Sequence, residues 1–202
     1  TNCGDKGEAQ VYSLDEWTNM MGGAAAEAPP QIGDFRDGGV VFYVAPTPTD
    51  LNNDGTLDTG LVCAVEDQSS GIQWYNGSNS VTGATTTAIG SGKANTTTII
   101  NSQGSGNYGA SLCNNYFVNM GGTVYNDWFL PSKDELNKMY QNRIKIGDAA
   151  LANGGSNLAG SYYWSSTESN KKYAWIQTIS FGTQSSLGPK SILYNVRAIR
   201  AF

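Results

Sequence analysis

The stretch NDWFLPSKDELNKMY, Asn126 to Tyr140, decides how the rest of the chain is read. It opens on an apolar run, Trp128 to Leu130, which Pro131 ends because its φ is fixed and it has no N–H donor. The spacing then predicts a helix entered through a capping box. Ser132 accepts from the amide of Glu135, and Glu135 reaches back to the amide of Ser132. Pro131 and Leu136 take the staple positions, while Leu136, Met139 and Tyr140 form one apolar stripe. Lys138, Arg143 and Lys145 follow toward the C-terminal end, where cations suit the helix dipole. The stretch joins a helical half before it to a strand-rich half after it.

After this joint the period changes to that of strands. SYYWSSTES, KYAWIQTIS and YNVRAIRAF are three runs of strand length separated by Asn, Gly, Lys and Pro. In the middle run Tyr173, Trp175, Gln177 and Ile179 share one face, and Ala174, Ile176, Thr178 and Ser180 the other. The last run places the C-terminus inside the sheet. Before the joint, KANTTTIINSQ predicts a helix near Asn95. YGASLCNNYFV predicts another from Tyr108, with Leu112, Tyr116 and Phe117 on one face. Earlier still, VVFYVA (Val40 to Ala45) and GLVCAVED (Gly60 to Asp67) read as two buried strands paired in a hairpin. The whole is one α+β domain over residues 32–202.

Residues 1–31 differ in composition. GDKGEA, Gly4 to Ala9, reads as two Gly-X-Y triplets of a collagen-like stalk remnant. A short helix capped at Ser13 with Glu16 follows. GGAAAEAPP, Gly22 to Pro30, is a linker with nothing to bury.

Bulk composition narrows the function classes. The chain has 202 residues, 14% charged, a net charge of −5 and no histidine. An acidic chain without a basic cluster argues against nucleic acid as partner. No apolar run reaches the roughly 20 residues of a membrane helix. Without histidine the commonest general base and metal ligand are missing together, and there is neither a Cys-X-X-Cys pair nor a phosphate loop. Catalysis is therefore not expected. Of the three cysteines, Cys63 and Cys113 either close a core disulfide in an oxidising compartment or pack as two free thiols. Cys3 is left over.

The sharpest local signal is TDLNNDGTLDTG. Asp50, Asn52, Asp54 and Asp58 stand at positions 1, 3, 5 and 9 of a calcium loop, Gly55 at its sharp turn, and the Thr56 carbonyl adds a ligand. Position 12 is Leu61 where the pattern calls for Glu, so Glu66 or Asp67 would complete the site; the competing reading is a plain Asn-Asp-Gly turn. Glu168 is expected to pair with Arg197 or Arg200. Asn170, Lys171, Lys172, Tyr173, Trp175, Gln177, Gln184, Lys190 and Tyr194 mix rings, amides and cations in a way that suits sugars or protein surfaces. Trp128 and Trp164 are expected in the core, and Trp175 stands evenly between core and ligand surface.

The blocks IGDFRDGGVVFYV, GLVCAVEDQSSGIQWYNG, GSGKANTTTIIN, NDWFLPSKDELNKMY, YYWSSTES and VRAIRAF resemble, in order, the C-terminal domain family of the bacterial collagen-like adhesin Lcl. The resemblance implies a C-type-lectin-like fold, with two main helices on a small twisted, mostly antiparallel sheet. Formylglycine-generating enzymes and the variable proteins of diversity-generating retroelements are related to that fold. The latter carry their ligand surface in the block matching Tyr162 to Phe202. The resemblance further implies adhesion at a bacterial cell surface or outside it, by a trimer where a collagen stalk precedes the domain. Because this chain is acidic, a neutral glycan or protein receptor is expected as partner. The structural alternative is a component of a trimeric or filamentous assembly, phage-tail-like fibres included, in which the same face meets another copy.

Overall fold

The computed structural model describes residues 28–202. The stalk triplets, the Ser13 cap, Cys3 and most of the linker lie outside them. In chain order the strands before the joint are β1 (Phe35–Arg36), β2 (Gly39–Thr49), β3 (Asp58–Cys63) and β4 (Ser69–Ile72). Helices α1 (Gly92–Gln103) and α2 (Gly109–Asn114) follow, then the small hairpin β5 (Val118–Met120) and β6 (Thr123–Tyr125). Helices α3 (Lys133–Gln141) and α4 (Arg143–Ala152) precede β7 (Tyr162–Glu168) and β8 (Tyr173–Thr178). The chain closes with β9 (Gln184–Pro189), β10 (Tyr194–Val196) and β11 (Ile199–Ala201).

Mixed α/β architecture with mostly antiparallel sheets is what the structure has. One sheet runs β1-β2-β3-β11, another β4-β10-β7-β8-β9, and β5-β6 stands apart. The β10–β7 pair is parallel; the other named strand pairs are antiparallel. The expected hairpin is present, with Val40 opposite Cys63 and Thr49 opposite Asp58. The last run divides: β10 joins the five-stranded sheet and β11 the four-stranded one, with Arg197 and Ala198 at the crossing. The C-terminus is tied in as expected, since the Phe202 carbonyl accepts from the Thr59 amide at 2.6 Å.

Strand alternation splits the core in two. Val41, Val62 and Ala64 face one cluster together with Trp74, Ile99, Cys113, Trp164 and Ile176. Val40, Phe42, Leu61 and Cys63 face the other, with Leu136, Met139, Ile146 and Tyr163. Helices α1 and α2 thus cover one core, α3 and α4 the other. The Asn126–Tyr140 stretch serves both: Trp128 and Leu130 enter the first cluster, Phe129 the second, and Phe129 bridges to Ile199.

The same alternation overturns the disulfide. Cys63 and Cys113 are free and buried, and they belong to opposite cores with the β3 sheet between them. Burial pushes the Cys63 thiol up to about 12 and raises that of Cys113 as well. Neither forms thiolate at neutral pH. In the native protein neither is expected to react with Ellman's reagent, and in denaturant without reductant both should; a bridge would leave both silent there.

The capping box forms as read, with Glu135 Oε2 accepting from the Ser132 amide at 2.6 Å. Its other oxygen accepts from the Gly90 and Gly92 amides, so this carboxylate also holds the entry to α1. Gly92 is glycine for a reason: a Cβ there would collide with Glu135 Oε2 and the Phe129 ring. Full burial raises the Glu135 carboxyl to about 7, partly offset by those amide donors. Below its ordinary 4.5 the group is neutral folded or unfolded, and from there to about 7 only the native state holds the proton. Stability is therefore expected to fall by on the order of 3 kcal/mol as pH rises through that window. Denaturation midpoints against pH check this, and Glu135→Gln should flatten the slope.

Two features were not anticipated. Helix α4 has no side-chain cap at Asn142, no acidic first turn and an interior Gly147, so no start signal marked it. Arg143 begins it, yet serves α3 too, donating to the Tyr140 carbonyl at 3.1 Å and stacking 4.4 Å from the Tyr140 ring. Strand β9 is polar and ends on Pro189; it lies at the edge of its sheet, where a strand without a donor is tolerated.

Candidate functional site

The nine residues singled out as a ligand surface do not share one surface. Three are internal. Lys190 is buried, with Nζ 2.5 Å from Glu168 Oε1, 3.0 Å from the Ser80 carbonyl and 4.4 Å above the Trp74 ring. Gln177 is buried and donates to Asn137 Oδ1 at 2.9 Å and to the Gly182 carbonyl. Gln184 donates to the Lys133 carbonyl at 2.8 Å and to Gln177 Oε1. These amides and this cation hold the domain together; they are withdrawn from the ligand set. The Glu168 pairing is corrected with them: Arg197 takes Asp67 and Arg200 takes Asp127, each at 2.7 Å.

The other six fall on two faces. Ala174 and Ile176 enter the core beside Trp164, so Trp175 between them points to the opposite side of β8. There its half-buried ring lies 5.0 Å from Lys133 Nζ. A register shift between Ala174 and Ile176 sets both Ser186 and Leu187 against Trp175, leaving Leu187 66% exposed. The turn before β8 carries Lys171 and Lys172, both exposed, and is shaped by Asn170 Oδ1 accepting from the Lys172 and Tyr173 amides. Tyr173 shares the Trp175 side by alternation. Tyr194 belongs to the core-facing side, edge-on to Trp164 at 4.8 Å and paired with Tyr162 at 5.3 Å. Ile192 and Leu193 lie exposed just before it. Of the tryptophans weighed, Trp128 and Trp164 are core and Trp175 is half surface.

Lys133 was missed, although it left a signal. It is the first residue of a capped helix, where the dipole disfavours a cation. Asp134 at 3.1 Å and the Trp175 ring compensate. Leu187 and Tyr162 left none, because their exposure depends on register alone.

The Asp50–Asp58 loop is bounded by its own hydrogen bonds. Asp50 accepts from the amides of Asn52, Asp54 and Gly55, and Asp54 from the amide and hydroxyl of Thr56. Asp58 accepts from the Leu51 amide at 2.8 Å. Burial, then the nearby Asp54 and Asp50 charges, raise the Asp58 carboxyl. Among the described residues no group of three or more His, Cys, Asp or Glu is gathered to hold a metal ion. Asp67, expected to help complete the site, is engaged by Arg197, Tyr163 and Asn195.

The Lcl C-terminal domain profile matches residues 63–200. The chain belongs to the Lcl C-terminal domain family. Membership makes it a surface adhesin-type or fibre-associated module. Among solved structures, a fimbrial protein from Bacteroides ovatus aligns with TM-score 0.49 and 18% identity, over 89% of this chain and 46% of that one. This chain thus spans about half of that protein. No curated protein matches. Among the described residues no helix is long and apolar enough to cross a membrane.

Proposed function

We propose that this Lcl C-terminal domain is the ligand-holding part of a bacterial adhesin, displayed on the cell surface or secreted, with no catalytic role. Its partner is a glycan or a protein receptor. The arrangement is read as C-type-lectin-like: its first and last strands share one sheet, and helices pack on both sides. The observation that carries the proposal is Trp175, kept half-exposed on a rigid sheet beside Lys133, Leu187 and the Asn170–Lys172 turn. A ring fixed there can stack on an apolar sugar face or a partner side chain, and the lysines and Asn170 supply hydrogen bonds at its rim. Trp175→Ala is expected to abolish binding on a glycan array or to receptor-bearing cells, with the melting temperature shifting by only a few degrees. Tyr194→Ala, on the other face, should leave binding intact. The reverse pattern would move the site to the Tyr162–Tyr194 face.

A second reading is favoured by that other face. Tyr162, Ile192 and Leu193 are exposed beside the half-buried Tyr194, an apolar group suited to another copy in a trimer or fibre. Sedimentation of the chain with and without residues 1–31 tests it, and a monomer in both cases removes it. Calcium at Asp50, Asn52, Asp54, Thr56 and Asp58 is a separate proposal, supported by the like charges around Asp58 that a cation would relieve. A higher melting temperature in excess calcium than in chelator is expected, and equal values remove the ion.

A further inference from the structure

The segment after β3 and the end of α2 enclose a cleft of about 400 Å³, within the range of ligand sites. Its lining includes Glu66, Asp67, Leu112, Asn115, Tyr116 and Phe117. One wall is aromatic. Tyr116 is held edge-on against Trp128, with centroids 5.1 Å apart, and Phe117 is 63% exposed. The floor is rigid because Asp67 accepts from Arg197, Tyr163 and Asn195 at once, so its charge is already balanced. Glu66 is different. It is exposed, and its carboxylate has no hydrogen-bond or ion-pair partner among the described residues. Burial, then the Glu66 charge, raise the Tyr116 hydroxyl, and Arg197, itself paired with Asp67, partly offsets them.

We propose that this cleft receives a lysine or arginine side chain of a partner protein, with its stem along Leu112 and the rings and its charge at Glu66. An uncharged apolar group would strip water from Glu66 without pairing it, and an anion would meet like charge. A cation on an apolar stem satisfies both walls, since ring faces attract cations and the carboxylate pairs with them. The site is independent of the Trp175 face, so either can fail alone.

The test is an NMR titration of the full chain with the Nα-acetyl N-methylamides of lysine, arginine and norleucine, and with n-butylamine. The lysine and arginine probes are expected to shift Tyr116 and Phe117 signals, with norleucine about three- to fivefold weaker. Glu66→Gln should reduce lysine-probe affinity by a similar factor while leaving the melting temperature and the Trp175-dependent binding unchanged. Butylamine carries the same stem and charge and is expected to shift the same signals; its failure to do so would overturn the placement of a lysine stem and charge in the cleft. Equal binding of norleucine, shifts confined to other residues, or indifference to Glu66→Gln would overturn the cation site itself.

Discussion

Lys190→Ala is expected to cost about 3–5 kcal/mol of stability, seen as a lower urea midpoint with an unchanged slope. Both partners of the Lys190–Glu168 pair are wholly buried, at 2.5 Å. Removing the cation leaves a carboxylate in the core that the Thr82 and Gly83 amides satisfy only in part. The lost Trp74 contact adds to the cost. Desolvation lowers the Lys190 ammonium, and the hydrogen bond and charge of Glu168 partly offset it. The same pair fixes the 80–84 segment, through the Ser80 carbonyl on one side and the Thr82 and Gly83 amides on the other. Those two amides should lose hydrogen-exchange protection in the variant. A ligand-contacting lysine would behave in the opposite way: binding would fall and the midpoint would stay.

Asp67→Ala is expected to be nearly as damaging, about 3 kcal/mol by the same measurement. It strands the Arg197 guanidinium, whose side chain is fully buried, and removes the acceptor of the Tyr163 hydroxyl at 2.6 Å and of Asn195. The lower figure reflects two facts. Asp67 keeps 15% exposure, so water relieves part of the loss, and Arg197 retains the Ser156 and Asn157 carbonyls. Asp67→Asn should fall between wild type and alanine, since it keeps an acceptor and loses the charge. The contrast with the neighbouring Glu66→Gln, expected to leave stability unchanged, separates the cleft's structural floor from its rim.

How far the sequence carried can be judged from particular residues. The capping box at Ser132 and Glu135, the β2–β3 hairpin and the burial of Trp128 and Trp164 follow from local pattern and formed as read. Polar residues misled. Gln177, Gln184 and Lys190 look like recognition groups because composition shows only that they hydrogen-bond. Whether the partner is a ligand or an Asn137, a Lys133 carbonyl or a Glu168 is decided by residues 22 to 51 positions away. The expected Glu168 pairings failed likewise: both arginines had acids to choose from, and register chose.

By itself the sequence determined the elements whose signals are short-range: the cap, the strand periods of the hairpin, and the family. Tertiary structure alone decided which side of each strand meets which core, and so the separation of Cys63 from Cys113, the division of Trp175 from Tyr194, and the meeting of Lys190 with Glu168 across 22 residues. The physical reason is that a period of two fixes which residues share a face, while only the packing of one sheet against helices and another sheet fixes what that face touches.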